Sequence, residues 1–415
     1  MDVFGYLAPY GLEWLNLLVR WLHIITGIAW IGASFYFVWL DNTIKPPPPG
    51  SELAKKGVAG ELWAVHGGGF YNPQKYLVAP AELPKELHWF KWEAYSTWLS
   101  GFALLFIVYY LNAQAMMVDR SVADLSSWQA VGIGLGSLVV GWLVYDLLCK
   151  SPLGKRDLAF GLVIFAFLVG SAYVLTHLLS GRAAYLHVGA MIGTIMVANV
   201  AHVIIPGQRR MVNAMLAGQQ PDPSYGIKAK QRSVHNNYFT LPVLFLMISN
   251  HYAMTYRHPH AWAVLGVIMA AGVLIRHFFN LRHKGRIEWK YPAAGVALLA
   301  VLAVLIAPQA PQAPQVAAGG QSVVEGTAQF TQVKQIVDRR CVSCHAARPT
   351  QPGFATAPAG VSLDSPELIR QNAARIYQQT VQLKAMPLAN LTNMTDAERA
   401  QVKDWFEAGA PSGKN

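Results

Sequence analysis

The stretch E-W-L-N-L-L-V-R-W-L-H-I-I-T-G-I-A-W-I-G-A-S-F-Y-F-V-W-L, residues 13–40, decides the fold. A membrane-crossing helix needs about 20 mainly apolar residues, and this run exceeds that length. It is also too long for the apolar part of a cleavable leader, and no basic segment precedes it. It therefore reads as a spanning helix. Applied along the chain, the same rule predicts eight spans, at roughly 13–40, 88–111, 127–149, 158–180, 184–206, 237–256, 261–281 and 291–307. The expected fold class is all-α: an eight-helix transmembrane bundle over 1–307, a linker at 308–324 and a small c-type cytochrome domain at 325–415.

Composition agrees. The 415 residues are 53% hydrophobic and 13% charged, against about 25% charged in an average soluble domain. Thirteen tryptophans suit aromatic anchoring at bilayer interfaces. A net charge of +11 is of the kind that nucleic-acid binders carry, but its distribution argues otherwise. With the N-terminus outside, the inner loops 41–87, 150–157, 207–236 and 282–290 hold five, three, five and four Lys and Arg residues. The opposite side holds Arg120, Arg182 and Arg257. Basic residues concentrate on the cytoplasmic side of membrane proteins. The expected location is thus the bacterial inner membrane, with both termini periplasmic and the lipid bilayer as a partner.

After the last span, P-Q-A-P-Q-A-P-Q-V-A-A-G-G at 308–320 reads as a semi-extended tether. Beyond it lies C-V-S-C-H, residues 341–345. In such a motif two thiols add to haem vinyl groups and the adjacent histidine meets the iron. Haem c is therefore expected on Cys341 and Cys344, with His345 as one axial ligand. Met386, followed by Pro387, is the favoured second ligand, Met394 the competitor, and core packing the structural reading of Met386. The remaining cysteine, Cys149, has no partner for a disulfide and reads as a small buried residue. T-D-A-E-R-A-Q-V-K-D-W-F-E-A-G-A, 395–410, predicts a helix with Thr395 as N-cap, Glu398 closing a capping box and Gly409 ending it.

Ionisable residues inside spans are expensive and point to function. On the outer half lie His177, His187 and His251, with His23 deeper; pairs of them suit a haem b. On the inner half, Y-L-H-V-G-A-M-I-G-T-I-M-V-A-N-V-A-H-V-I-I-P-G-Q-R-R-M-V (185–212) carries Asn199, His202, Gln208, Arg209 and Arg210. H-N-N-Y-F-T-L-P-V (235–243) carries His235 and Asn236. These form a candidate polar pocket with cations, although Arg209 and Arg210 as topology markers and the histidines as structural residues account for them equally well.

The first-helix string W-L-H-I-I-T-G-I-A-W-I-G-A-S-F-Y-F, the A-N-V-A-H-V-I-I-P-G-Q-R-R-M-V and H-N-N-Y-F-T-L-P-V segments, and the fused C-V-S-C-H domain together resemble the bacterial membrane-bound urate oxidases, also called urate hydroxylases. The first helix is also similar to that of the bacterial protoporphyrinogen oxidases, where the histidine matching His23 is thought to serve haem. The main resemblance implies oxidation of urate to 5-hydroxyisourate. It further implies electrons passing through the fused cytochrome to a respiratory acceptor or terminal oxidase, with no hydrogen peroxide. It carries over no catalytic residues. A planar urate anion needs a cation, an amide for its ring edge and a base. His202, His235 and Arg209 are the catalytic candidates, and Arg210, Gln208, Asn199 and Asn236 the binding candidates. The competing readings are a non-catalytic membrane subunit moving electrons from quinol or a partner enzyme to cytochrome c, and a haem-biosynthetic oxidase.

Overall fold

A computed structural model describes residues 3–307, 323–352, 354 and 357–411. The tether at 308–320 lies outside the described residues. The part before it is mostly helical. Its main helices are α1 (Val3–Thr43), α2 (Trp92–Leu105), α3 (Ser127–Lys150), α4 (Asp157–Thr176), α5 (Gly181–Ala198), α6 (Pro223–Ile248), α7 (Ala261–His283) and α8 (Lys290–Leu305).

Five segments are long and apolar enough to cross a membrane: Gly11–Thr43, Ser127–Lys150, Asp157–Thr176, Gly181–Leu216 and Ala261–His283. The other three expected spans differ in ways their sequences explain. Helix α2 is 14 residues long and passes into a π-helical turn at Phe106–Tyr110. Helix α8 has 16 residues, or ~24 Å at 1.5 Å per residue, short of a hydrocarbon core of about 30 Å. Helix α6 is longer than expected and begins at Pro223 rather than near residue 237. Asp222 caps it, accepting from the Ser224 N–H at 2.8 Å, and Pro223 supplies the preset first turn. Its first half is polar, so a hydropathy window passes over it.

Helix α5 is the buried centre. Ala183, Ala184, Tyr185, Val188, Ile192 and Ile195 have no accessible surface. Glycines let the neighbours approach, as they do in membrane bundles. Gly134 and Gly141 of α3 face His187 and Met191, and Gly189 faces Leu246 of α6. The Tyr185 hydroxyl lies 2.6 Å from the Ala261 carbonyl, tying α5 to the start of α7. Helix α1 packs on α2 and α7 and leaves Leu17, Leu18, Trp21, Leu22, Ile25 and Ile28 exposed, an apolar face suited to lipid. Between α1 and α2 lie two hairpins: β1 (Val58–Glu61) pairs with β4 (Gln74–Tyr76), and β2 (Ala64–His66) with β3 (Gly69–Tyr71). Gly67 and Gly68 turn the inner hairpin, both at positive φ, as a two-residue turn requires.

The C-terminal part is helical, with α9 (Val323–Arg340) and α10 (Asp396–Glu407) packed over a cluster of its own that includes Val337, Ile369, Val402 and Trp405. The expected capping box is present. Thr395 Oγ1 accepts from the Glu398 N–H at 3.2 Å, and Glu398 Oε2 accepts from the Thr395 N–H at 2.7 Å. Gly409 follows the helix at φ +89°. The loop through Ala389–Asn393 faces Gln114, Val118 and Arg120 of the bundle across a cavity of about 180 Å³.

Candidate functional site

Two buried polar clusters lie on different faces of α6, around Asn236 and Asn237. The first is built around a defect in α5. Pro206 has no N–H for the carbonyl of His202, four residues back, and its ring would clash there. The helix responds with a π-helical turn over Asn199–Ile204 before resuming through Leu216. That turn presents Asn199 to α3 and α6. Asn199 Nδ2 donates to Tyr145 Oη at 3.0 Å and to Asn236 Oδ1 at 2.8 Å. Asn199 Oδ1 accepts from Arg232 Nη1 at 3.2 Å. Arg232 Nη2 donates to Asp146 at 2.8 Å, and its guanidinium lies 5.1 Å from the Tyr145 ring centre. The Tyr145 hydroxyl sits 2.8 Å from His235 Nδ1, and the His235 ring stacks on Phe160 at 4.6 Å. Asn236 Nδ2 closes the set on the Met196 carbonyl at 3.0 Å.

The structure thus brings Asn199, Asn236 and His235 together and leaves the other inner candidates outside this cluster. His202 is exposed beside Trp142, with ring centres 5.9 Å apart. Gln208, Arg209 and Arg210 are exposed, and Arg210 Nη1 donates to the Tyr225 hydroxyl at 3.3 Å.

The second cluster escaped the sequence reading. Asn237 follows Asn236, so it points about 100° further round α6, toward α7 and α1. Arg276 of α7 is buried at 4% exposure, and its guanidinium carbon lies 3.9 Å from the Phe35 ring centre of α1. Its Nε donates to Asn237 Oδ1 at 3.0 Å, and Asn280 Nδ2 donates to the same oxygen at 2.9 Å. No ion pair neutralises Arg276 among the described residues. Arg276 Nη2, Asn237 Nδ2, Asn280 Oδ1 and His283 Nδ1 are buried without hydrogen-bond partners. Each such atom costs roughly 1–3 kcal/mol. The signal was available in the sequence: Arg276 is a cation inside an apolar run, with Asn280 one turn on.

The outer histidines are tied into the protein. His187 is fully buried, with Nδ1 2.8 Å from the Ala183 carbonyl and Nε2 3.3 Å from the Tyr110 hydroxyl. His23 Nδ1 lies 3.0 Å from the Thr97 carbonyl and 3.1 Å from Ser100 Oγ. His177 bonds the Tyr173 carbonyl one turn back at 2.7 Å, and both it and His251 are exposed. In the C-terminal domain His345 Nδ1 donates to the Val361 carbonyl at 2.8 Å. Met386 is half-buried, while Met394 is part of the apolar core. Burial pushes the Cys341 thiol up to about 12, with Cys344 adding to the effect, and burial also raises the Cys344 thiol.

Membrane-length apolar helices with buried arginine and amide side chains between them define a class: a helical bundle of membrane-crossing composition organised around internal polar clusters. The particular family follows from a match to the urate oxidase N-terminal family over residues 9–307, the whole bundle. The chain belongs to that family, which ties it to urate and to oxidoreductase chemistry. No match is found among the curated proteins or the solved structures.

The described residues do not bear out the expected cofactors. Among the described residues no group of three or more His, Cys, Asp or Glu side chains is gathered to hold a metal ion. Cys341, Cys344 and His345 form no such group, and the family match ends before them. The haem c expected on Cys341 and Cys344, with His345 and Met386 on its iron, is therefore withdrawn. So is the haem b expected at His23, His177, His187 and His251, since His187 has both ring nitrogens on protein partners and His177 and His251 are exposed. Free thiols have a direct consequence. Iodoacetamide is expected to alkylate the half-buried Cys344 faster than Cys341, read by mass spectrometry of the intact chain. Thiols blocked even after unfolding would overturn the correction.

Proposed function

We propose that the protein oxidises urate to 5-hydroxyisourate at the inner face of a bacterial inner membrane. The two electrons pass to a respiratory acceptor or terminal oxidase rather than to oxygen as peroxide. The family match across the bundle carries the reading. The reaction balances as urate plus water giving 5-hydroxyisourate, two protons and two electrons, so the site has to hold an anion and remove protons. Tyr145 and His235, in hydrogen-bond contact at 2.8 Å, provide a route for protons. Asn199 and Asn236 hold that pair in place through their amides. His202, Gln208, Arg209 and Arg210 stand exposed on the same side, where cations raise the local concentration of an anionic substrate. The strongly basic inner loops support this orientation.

The test is to supply urate to membranes containing the chain and follow urate and peroxide together. The expected result is urate loss with peroxide far below the urate consumed. Stoichiometric peroxide would remove the respiratory route, and no urate loss would remove the function.

A further inference from the structure

We propose that Arg276, Asn237 and Asn280 form the subsite that grips the anionic lactam edge of the purine, a role that rests on the urate reading above. A fold keeps an unneutralised arginine among apolar helices only when something else satisfies it. Here three of the unsatisfied atoms belong to side chains that meet at one point, because Arg276 Nε and Asn280 Nδ2 both donate to a single oxygen of Asn237. The amide orientations are forced. Arg276 Nε can only donate, so Asn237 presents its oxygen there and its Nδ2 faces away. Asn280 donates to that same oxygen, which leaves its own Oδ1 free.

The free set is therefore two donors, Arg276 Nη2 and Asn237 Nδ2, one acceptor, Asn280 Oδ1, and His283 Nδ1, which donates or accepts according to its tautomer. A fully deprotonated anion such as chloride or sulfate offers acceptors and no proton for Asn280. An oxidised purine anion offers ring carbonyls beside an N–H, which matches both donors and the acceptor, and its charge neutralises Arg276. Phe35 supplies an aromatic face against the guanidinium. It comes from α1, whose span is only 6% buried, so this wall is held by the least packed of the long helices.

The test uses the full chain in membranes and in detergent. Arg276→Gln and Asn237→Leu are each expected to raise the KM for urate by about 30-fold or more. Urate added without an electron acceptor is expected to raise the melting temperature of the wild-type protein and not that of Arg276→Gln. Arg276→Met, which removes the uncompensated charge, is expected to melt no lower than the wild type while losing the urate shift. If the wild type consumes urate and both Arg276→Gln and Asn237→Leu keep its KM, the subsite is wrong and the function stands. A wild type that neither consumes nor is stabilised by urate fails at the function itself. If inorganic phosphate gives a shift that Arg276→Gln abolishes and urate gives none, the site takes phosphate and the purine assignment falls. Should Arg276→Gln show no folded transition, Asn237→Leu alone decides.

Discussion

Asp146→Ala is expected to destabilise the bundle by roughly 3–5 kcal/mol, the cost of stranding a buried charge. Asp146 is the counter-ion of Arg232, whose side chain is 5% exposed. Arg232 cannot turn to water, because one arm holds Asn199 and its face lies against Tyr145. Lys150, which also bonds Asp146 at 2.5 Å, is exposed and simply hydrates when the carboxylate goes. The loss therefore falls on Arg232 and passes through Asn199 to the contacts of Tyr145 and Asn236. Replacing the pair together, Asp146→Leu with Arg232→Met, removes the stranded charge and is expected to recover most of the stability. The measurement is thermal or denaturant unfolding in detergent. A single-variant cost within about 0.5 kcal/mol, the range of an ordinary surface change, would mean that the pair is not buried as described.

The second large effect is expected for Gly181→Ala. A Cβ built on Gly181 would stand 2.0 Å from the Tyr256 carbonyl oxygen and 3.1 Å from its carbon. Both are backbone atoms, so no side chain can swing aside. The start of α5 would have to move away from the 253–257 turn, stretching the contacts of the Tyr185 hydroxyl with the Thr255 and Ala261 carbonyls. Overpacking of this kind costs about 1–3 kcal/mol, occasionally more. Gly193→Ala is the internal control. It lies on the same helix with nothing within 4 Å of the added carbon, and alanine favours a helix over glycine by up to ~1 kcal/mol. Gly193→Ala should be neutral or stabilising while Gly181→Ala unfolds early. Equal behaviour of the two would contradict the close approach of α5 to Tyr256.

Much of this architecture was legible in the sequence. The apolar runs placed α3, α4 and α7 to within a few residues, and T-D-A-E with the later glycine placed α10 and both of its ends. The polar half of α6 was not legible to hydropathy, although Asp222 and Pro223 are a helix start in their own right. The site was harder. Attention to histidines and to the terminal arginines picked out Asn199, Asn236 and His235, which cluster, together with Arg209 and Arg210, which face water. It missed Arg232, whose partner Asp146 lies on another helix. It also missed Arg276, although a cation inside an apolar run is a signal in its own right; that Asn237 rather than Asn236 meets it is legible only in the packing. The C-V-S-C-H spelling illustrates the converse. A local string names residue types, while a metal site is made of side chains converging in space, and those of Cys341, Cys344 and His345 do not form such a group.

The most direct measurement of the central claim is the disappearance of urate in membranes that carry the wild-type chain, beside membranes that carry Arg276→Gln. Rapid loss of urate with formation of 5-hydroxyisourate in the first, and little loss at the same low urate concentration in the second, is the expected result. Urate that persists in the wild-type membranes, with a respiratory acceptor present and the protein folded, would contradict it.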